Sequence, residues 1–246
     1  MRSGEFAPPG PNTLAAAAAD LAHLTASLGE PQLLFGHSMG GKVALQYAAL
    51  RPPAARPLTV YTLDSVPGPR MGSDPHAVEA VLAAVAELPA ELPSRQFVLD
   101  ALKSRVPPAT AAWLASALVP LPGAPPTGPL RCSFDLPGAR QLYDDYRRLE
   151  YVQHVVPSRC FALTLCFVTA CSLWSIFEHP PAGTDVRLVR AGRSGAWGGA
   201  TGERLAALAP DAAKRVLLLP NAGHWLHVDA PDALIQLLLP AFKAAA

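Results

Sequence analysis

The six residues Gly36-His37-Ser38-Met39-Gly40-Gly41 stand between an apolar run, QLLF (32–35), and a helix-forming stretch, KVALQYAAL (42–50). Arg51-Pro52-Pro53 stops that stretch. A strand that passes into a helix through so short a turn leaves few folds open. LTVYTL (58–63) reads as the next strand, ending at Asp64-Ser65 with Pro67-Gly68 beyond. Strand, helix and strand at this spacing form a βαβ unit and predict a parallel sheet. Upstream, LAAAAADLAHLTASLG reads as a helix with Asn12 or Thr13 as its N-cap and Gly29 at its end.

The chain has enough apolar material to cover such a sheet: of 246 residues 50% are hydrophobic and 16% charged, which excludes a charge-rich disordered chain. A formal charge of +1 without a Lys/Arg cluster argues against a nucleic-acid partner. The four cysteines show no CxxC spacing, so neither a zinc site nor a thioredoxin-like motif is supported. The first twenty residues lack the basic and apolar segments of a secretory signal, and they do not read as a transit peptide either.

From Ser73 to about Glu150 no strand is expected. VEAVLAAVAEL, RQFVLDALKSR and ATAAWLASALV read as short amphipathic helices separated by proline-containing loops, with PLPGAPPTGP (120–129) as a stiff connection. A helical block between strands of an α/β domain reads as a cap. The sheet resumes at DVRLVRA (185–191), followed by a helix near 202–208 and the strand RVLLL (215–219). The loop PNAGHW and a closing helix over about 231–243 complete the chain.

G-x-S-x-G in a strand–turn–helix context raises the serine hydroxyl above the carboxyl edge of the sheet. Gly36 and Gly40 are expected to keep Cβ atoms out of that turn. Ser38 is the candidate nucleophile, and the Met39 N–H, at the helix start, the candidate oxyanion donor. The base should come late in the chain. His224, in the loop after RVLLL, is delivered by a parallel sheet to the same edge. His227 is the near alternative, and His37 and His179 read as structural.

GHSMGGKVAL, LDSVPG and LPNAGHWLHVDAP resemble the α/β-hydrolase superfamily, in its esterase/lipase-like branch with a small helical cap. FDLPGARQLYDDYR and SIFEHPP are similar to plant members. The resemblance implies a serine hydrolase of carboxylic esters or thioesters, acting through an acyl-enzyme on a small-molecule substrate, with no metal or organic cofactor. A plastid, mitochondrial or cytoplasmic location would fit it.

Two departures qualify that expectation. Where relatives carry the acid in a stretch like R-x-x-x-S-D-x-W, this chain reads Arg190-Ala191-Gly192-Arg193-Ser194-Gly195-Ala196-Trp197. Glycine cannot orient an imidazole, so Asp64, at the end of the strand after the elbow helix, is the expected acid; the alternative is an aspartate that caps the next turn. Asp185 stands at the wrong end of its strand. Only 32 residues precede Leu33, room for one helix, whereas the family sheet has about eight strands. The expectation is a partial α/β-hydrolase fold, with a mostly parallel sheet of about four strands and a helical cap, from an N-terminally truncated form. A catalytically impaired binding protein is the alternative.

Cys160–Phe177 is eighteen residues without a charge. A membrane anchor, a buried helix or strand pair, and a non-family insertion over about 152–173 are three readings of it. The division expected is 1–72 and 174–246 as core, 73–151 as cap and 152–173 as the insertion.

Overall fold

The computed structural model describes residues 11–52, 57–69, 78–125, 127–149, 151–156 and 167–245. Helix α1 (Leu14–Leu28) starts where the Thr13 hydroxyl accepts the Ala16 N–H at 3.1 Å, which makes Thr13 the N-cap. It ends at Gly29, whose φ of 102° suits a residue without a Cβ. Strand β1 (Leu33–His37), helix α2 (Met39–Leu50) and strand β2 (Leu58–Leu63) form the βαβ unit. The strands run parallel, with Leu33 opposite Thr59 and His37 opposite Leu63. The strand runs two residues past QLLF and the helix starts three before KVALQYAAL, so a single residue, Ser38, makes the turn.

Helices α3 (Val78–Ala86), α4 (Arg95–Leu102) and α5 (Pro108–Ser116) follow, then strands β3 (Leu118–Pro120) and β4 (Leu130–Cys132) and helix α6 (Leu136–Arg148). The strand-free reading of this block is corrected by β3 and β4, which pair antiparallel. ATAAWLASALV is helical only to Ser116. Pro120 forces the residue before it into extended conformation, and the Arg95 guanidinium takes the carbonyls of Ala115, Ser116 and Leu118 where the helix ends. Strands of three residues are too short to show a period of two.

Strands β5 (Tyr151–Val156) and β6 (Phe167–Ser172) pair antiparallel, with Tyr151 opposite Ser172. Of the uncharged run, residues 167–172 form β6, whose partner β5 lies before the run, and the residues after 172 are helical; Cys160 and Cys166 lie outside the described residues. No helix among the described residues is long and apolar enough to cross a membrane. Helix α7 (Leu173–Glu178), strand β7 (Thr184–Ala191), helices α8 (Gly199–Ala206) and α9 (Pro210–Ala213), strand β8 (Val216–Leu219), and helices α10 (Leu226–Asp229) and α11 (Pro231–Ala245) complete the order.

The chain divides into two compact units, Met71–Tyr143 and Arg2–Arg70 with Asp144–Ala246. The first has its own core, with Leu92, Val98, Leu102, Leu114 and Leu118 buried together. The second is built on a parallel sheet of order β1-β2-β7-β8. Leu58 and Val60 of β2, with Val186 and Leu188 of β7, meet Leu45, Tyr47 and Ala48 of α2 and Leu173, Ile176 and Phe177 of α7. The alternate residues Tyr61, Leu63, Val189 and Ala191 pack with Leu226, Leu234 and Leu238 on the other face. Burial on both faces explains why these strands read as continuous apolar runs.

Candidate active site

The carboxyl ends of the strands are fastened to one another in sequence. The Ser38 N–H donates to the Leu63 carbonyl at 3.0 Å, the Asp64 N–H to the Val189 carbonyl at 2.7 Å, and the Gly192 N–H to the Leu219 carbonyl at 2.8 Å. Since His37 stands opposite Leu63, Ser38 and Asp64 leave neighbouring strands at the same level. Among the described residues they are also the two non-glycine residues with positive φ, 52° and 44°. Backbone held in this region costs free energy and persists only where its surroundings impose it.

The glycines around the turn have distinct reasons. A Cβ on Gly36 would lie 2.3 Å from the Gly40 carbonyl oxygen, so the strand and helix ends touch there. A Cβ on Gly40 would meet nothing within 4 Å, which corrects the expectation that Gly40 clears the turn. The crowded position is Gly41, where a Cβ would stand 2.4 Å from that of Ser65. The helix can then approach the chain beyond Asp64.

Three side chains converge at this edge. His224 Nε2 is 3.1 Å from Ser38 Oγ, and His224 Nδ1 is 2.7 Å from Asp64 Oδ2. Asp64 is only 2 % exposed, and its second oxygen, Oδ1, accepts the Ala191 N–H at 3.0 Å and the Trp197 indole N–H at 2.5 Å. Burial pushes its carboxyl upward, but the hydrogen bonds from His224, Trp197, Ala191 and Ser194 outweigh that and hold it below the usual carboxylate value. An ionised Asp64 fixes the imidazole with its proton on Nδ1 and leaves Nε2 facing Ser38. Met39 is the first residue of α2, so its N–H stands at the positive end of the helix next to Ser38.

His37 turns away from the serine. Its Nε2–H donates to the His224 carbonyl at 2.7 Å, and its ring lies against those of His224, Trp225 and His227. Burial lowers its pKa; the hydrogen bond to the His224 carbonyl opposes this, and the neighbouring imidazoles reinforce it. Asp229 holds the same loop by accepting the Gly223 N–H at 2.7 Å. His227 lies in α10, Asp185 pairs with Arg187 at 2.7 Å, and Gly195 opens a short 3-10 turn where an added Cβ meets nothing within 4 Å. Sequence reasoning missed Trp197 as a partner of Asp64, although its place in the R-x-x-x-S-x-x-W stretch was a usable signal. It also missed Tyr146, whose hydroxyl lies 3.5 Å from Ser38 Oγ. Among the described residues no group of three or more His, Cys, Asp and Glu side chains could hold a metal ion.

The profile of the Alpha/beta hydrolase family matches residues 3–237. The chain is similar in structure to an esterase from a marine microorganism, with a TM-score of 0.66 and 18% identity over 94% of this chain and 79% of that one. It is also similar to E-2-(acetamidomethylene)succinate hydrolase, with a TM-score of 0.57 and 19% identity over 96% of this chain and 76% of that one. An esterase from Exiguobacterium antarcticum matches with a TM-score of 0.55 and 13% identity, over 96% of this chain and 76% of that one. No curated protein matches the sequence.

Proposed function

The chain belongs to the Alpha/beta hydrolase family, and we propose that it is a serine hydrolase of carboxylic esters or thioesters with small to medium acyl groups. The observation that carries this reading is the unbroken hydrogen-bonded line from Asp64 Oδ2 through the His224 ring to Ser38 Oγ. Two of the structures the chain resembles are esterases, which agrees with it.

Ser38 Oγ attacks the acyl carbon as its proton passes to His224 Nε2. Asp64 keeps the imidazole oriented and stabilises the imidazolium without taking the proton. The carbonyl oxygen becomes an oxyanion and receives the Met39 N–H. The intermediate collapses as His224 gives the proton to the departing alcohol or thiol. Water then attacks the acyl-enzyme, yields a proton to His224, and the acid is released as that proton returns to Ser38.

A fluorophosphonate probe will label the full chain at Ser38, and Ser38→Ala will abolish both labelling and p-nitrophenyl ester turnover. A folded sample that stays unlabelled, while an active esterase in the same tube reacts, overturns the proposal.

A further inference from the structure

We propose that Tyr146 is a further catalytic residue, its hydroxyl donating to Ser38 Oγ at rest and to the oxyanion of the tetrahedral intermediate, with Lys42 as the residue that positions it. This rests on Ser38 being the nucleophile.

The Tyr146 side chain lies in the core, at 5 % exposure, while its hydroxyl reaches the reacting oxygen. The chain around it is tied to helices α1 and α2. Lys42, one turn beyond Ser38 on α2, donates through Nζ to the Tyr146 carbonyl at 2.7 Å and the Leu149 carbonyl at 3.5 Å. The same ammonium stands 4.6 Å from the centroid of the Tyr146 ring. Lys42 is 1 % exposed, and a buried ammonium is retained only where strong partners replace water. On the other side Asp145 Oδ2 accepts the N–H of Leu14, the first residue of α1, at 2.7 Å. A helix end needs none of this if it only fills space. These four ties fix the position and orientation of one phenol relative to one serine.

The proton balance fits a donor role. Ser38 Oγ gives its own hydrogen to His224 Nε2, which leaves lone pairs free to accept the Tyr146 O–H. When Oγ bonds to the acyl carbon its electron density passes to the carbonyl oxygen, on the same carbon and within reach of the same phenol. Tyr146 keeps its proton throughout and no bond to it forms or breaks. A resting separation of 3.5 Å is at the outer limit of a hydrogen bond, and such contacts tighten as charge develops. The contribution is therefore greater in the transition state than in the ground state.

Tyr146→Phe removes the hydroxyl and keeps the ring over Lys42. In the full chain it will lower kcat for a p-nitrophenyl ester roughly 10- to 100-fold, with KM and the thermal midpoint unchanged. Inhibition by an arylboronic acid, whose tetrahedral adduct on the serine carries the same oxygen, will weaken by a similar factor. If the unaltered chain turns over the ester and Tyr146→Phe matches it in kcat and boronate affinity, this inference alone is wrong. A raised KM with unchanged kcat also overturns it, because the hydroxyl would then bind substrate rather than the oxyanion. If the unaltered chain neither reacts with a fluorophosphonate nor turns over ester, the serine-hydrolase reading fails and this one falls with it.

Discussion

The chain at the ends of β2 and β7 occupies adjacent places at the same sheet edge and does opposite electrostatic work. The first presents a carboxylate, Asp64, to His224; the second presents hydrogen-bond donors, the Ala191 N–H and the Trp197 indole, to the far oxygen of that carboxylate. The β7 segment carries no carboxylate of its own at Gly195, and its donors hold the carboxylate of Asp64 one strand away. A buried carboxylate requires such support, because leaving it unpaired costs far more than a hydrogen bond normally contributes.

That contrast can be tested by altering each segment. The largest effect is expected from Asp64→Asn, which will lower kcat about 10⁴-fold with little change in KM; an unchanged kcat would remove Asp64 from the relay. Trp197→Phe comes next. It leaves Oδ1 short of one donor and will destabilise the fold by about 2 kcal/mol. The depressed Asp64 carboxyl contributes stability that is present above its unfolded pKa and lost as pH falls. With one donor gone its pKa rises, so acid unfolding will begin at higher pH than in the parent. His37→Phe is milder, costing about 1 kcal/mol at pH 8 through the lost bond to the His224 carbonyl. Because the His37 pKa is depressed, unfolding takes up a proton, and stability present above 6.5 declines as pH falls below it. The variant will flatten that decline in a series of thermal melts. The smallest effect is expected from Gly195→Asp, which enters open space and will leave stability within about 0.5 kcal/mol and turnover unchanged. A large gain or loss there would show that the β7 segment still holds a place for an acid.

Much of this was legible in the sequence because periodicity and turn chemistry carry it. LTVYTL is β2 at both ends, and the capped helix before the elbow lies where Thr13 and Gly29 put it. Ser38 was marked by its G-x-S-x-G turn, and His224 and Asp64 by strand order together with the family resemblance, since a parallel sheet sends the chain beyond each strand to one edge. What stayed hidden depends on packing. Nothing in the order of residues tells that Gly41 rather than Gly40 is crowded, because the neighbour is Ser65, twenty-four residues on. Tyr146 was equally unreadable: its relation to Ser38 is made by a lysine that, as sequence, is one more cation on a helix. The β3–β4 pair escaped because three residues are shorter than any pattern that defines a strand.

Ser38 and Asp64 both turn with positive φ, and each gives its amide hydrogen to the strand beside it. Neither kink can relax without parting strands, and the strands cannot part at that end without releasing both. Opening at the site and unzipping of the sheet are thus one event on one timescale. The amide hydrogens of Ser38 and Asp64 should therefore exchange with solvent at the pace of β1 and β2, although both residues lie, by position, in loops. A chain that sampled a relaxed serine turn would do so only in the small fraction of molecules already coming apart, so the turn lasts as long as the fold does.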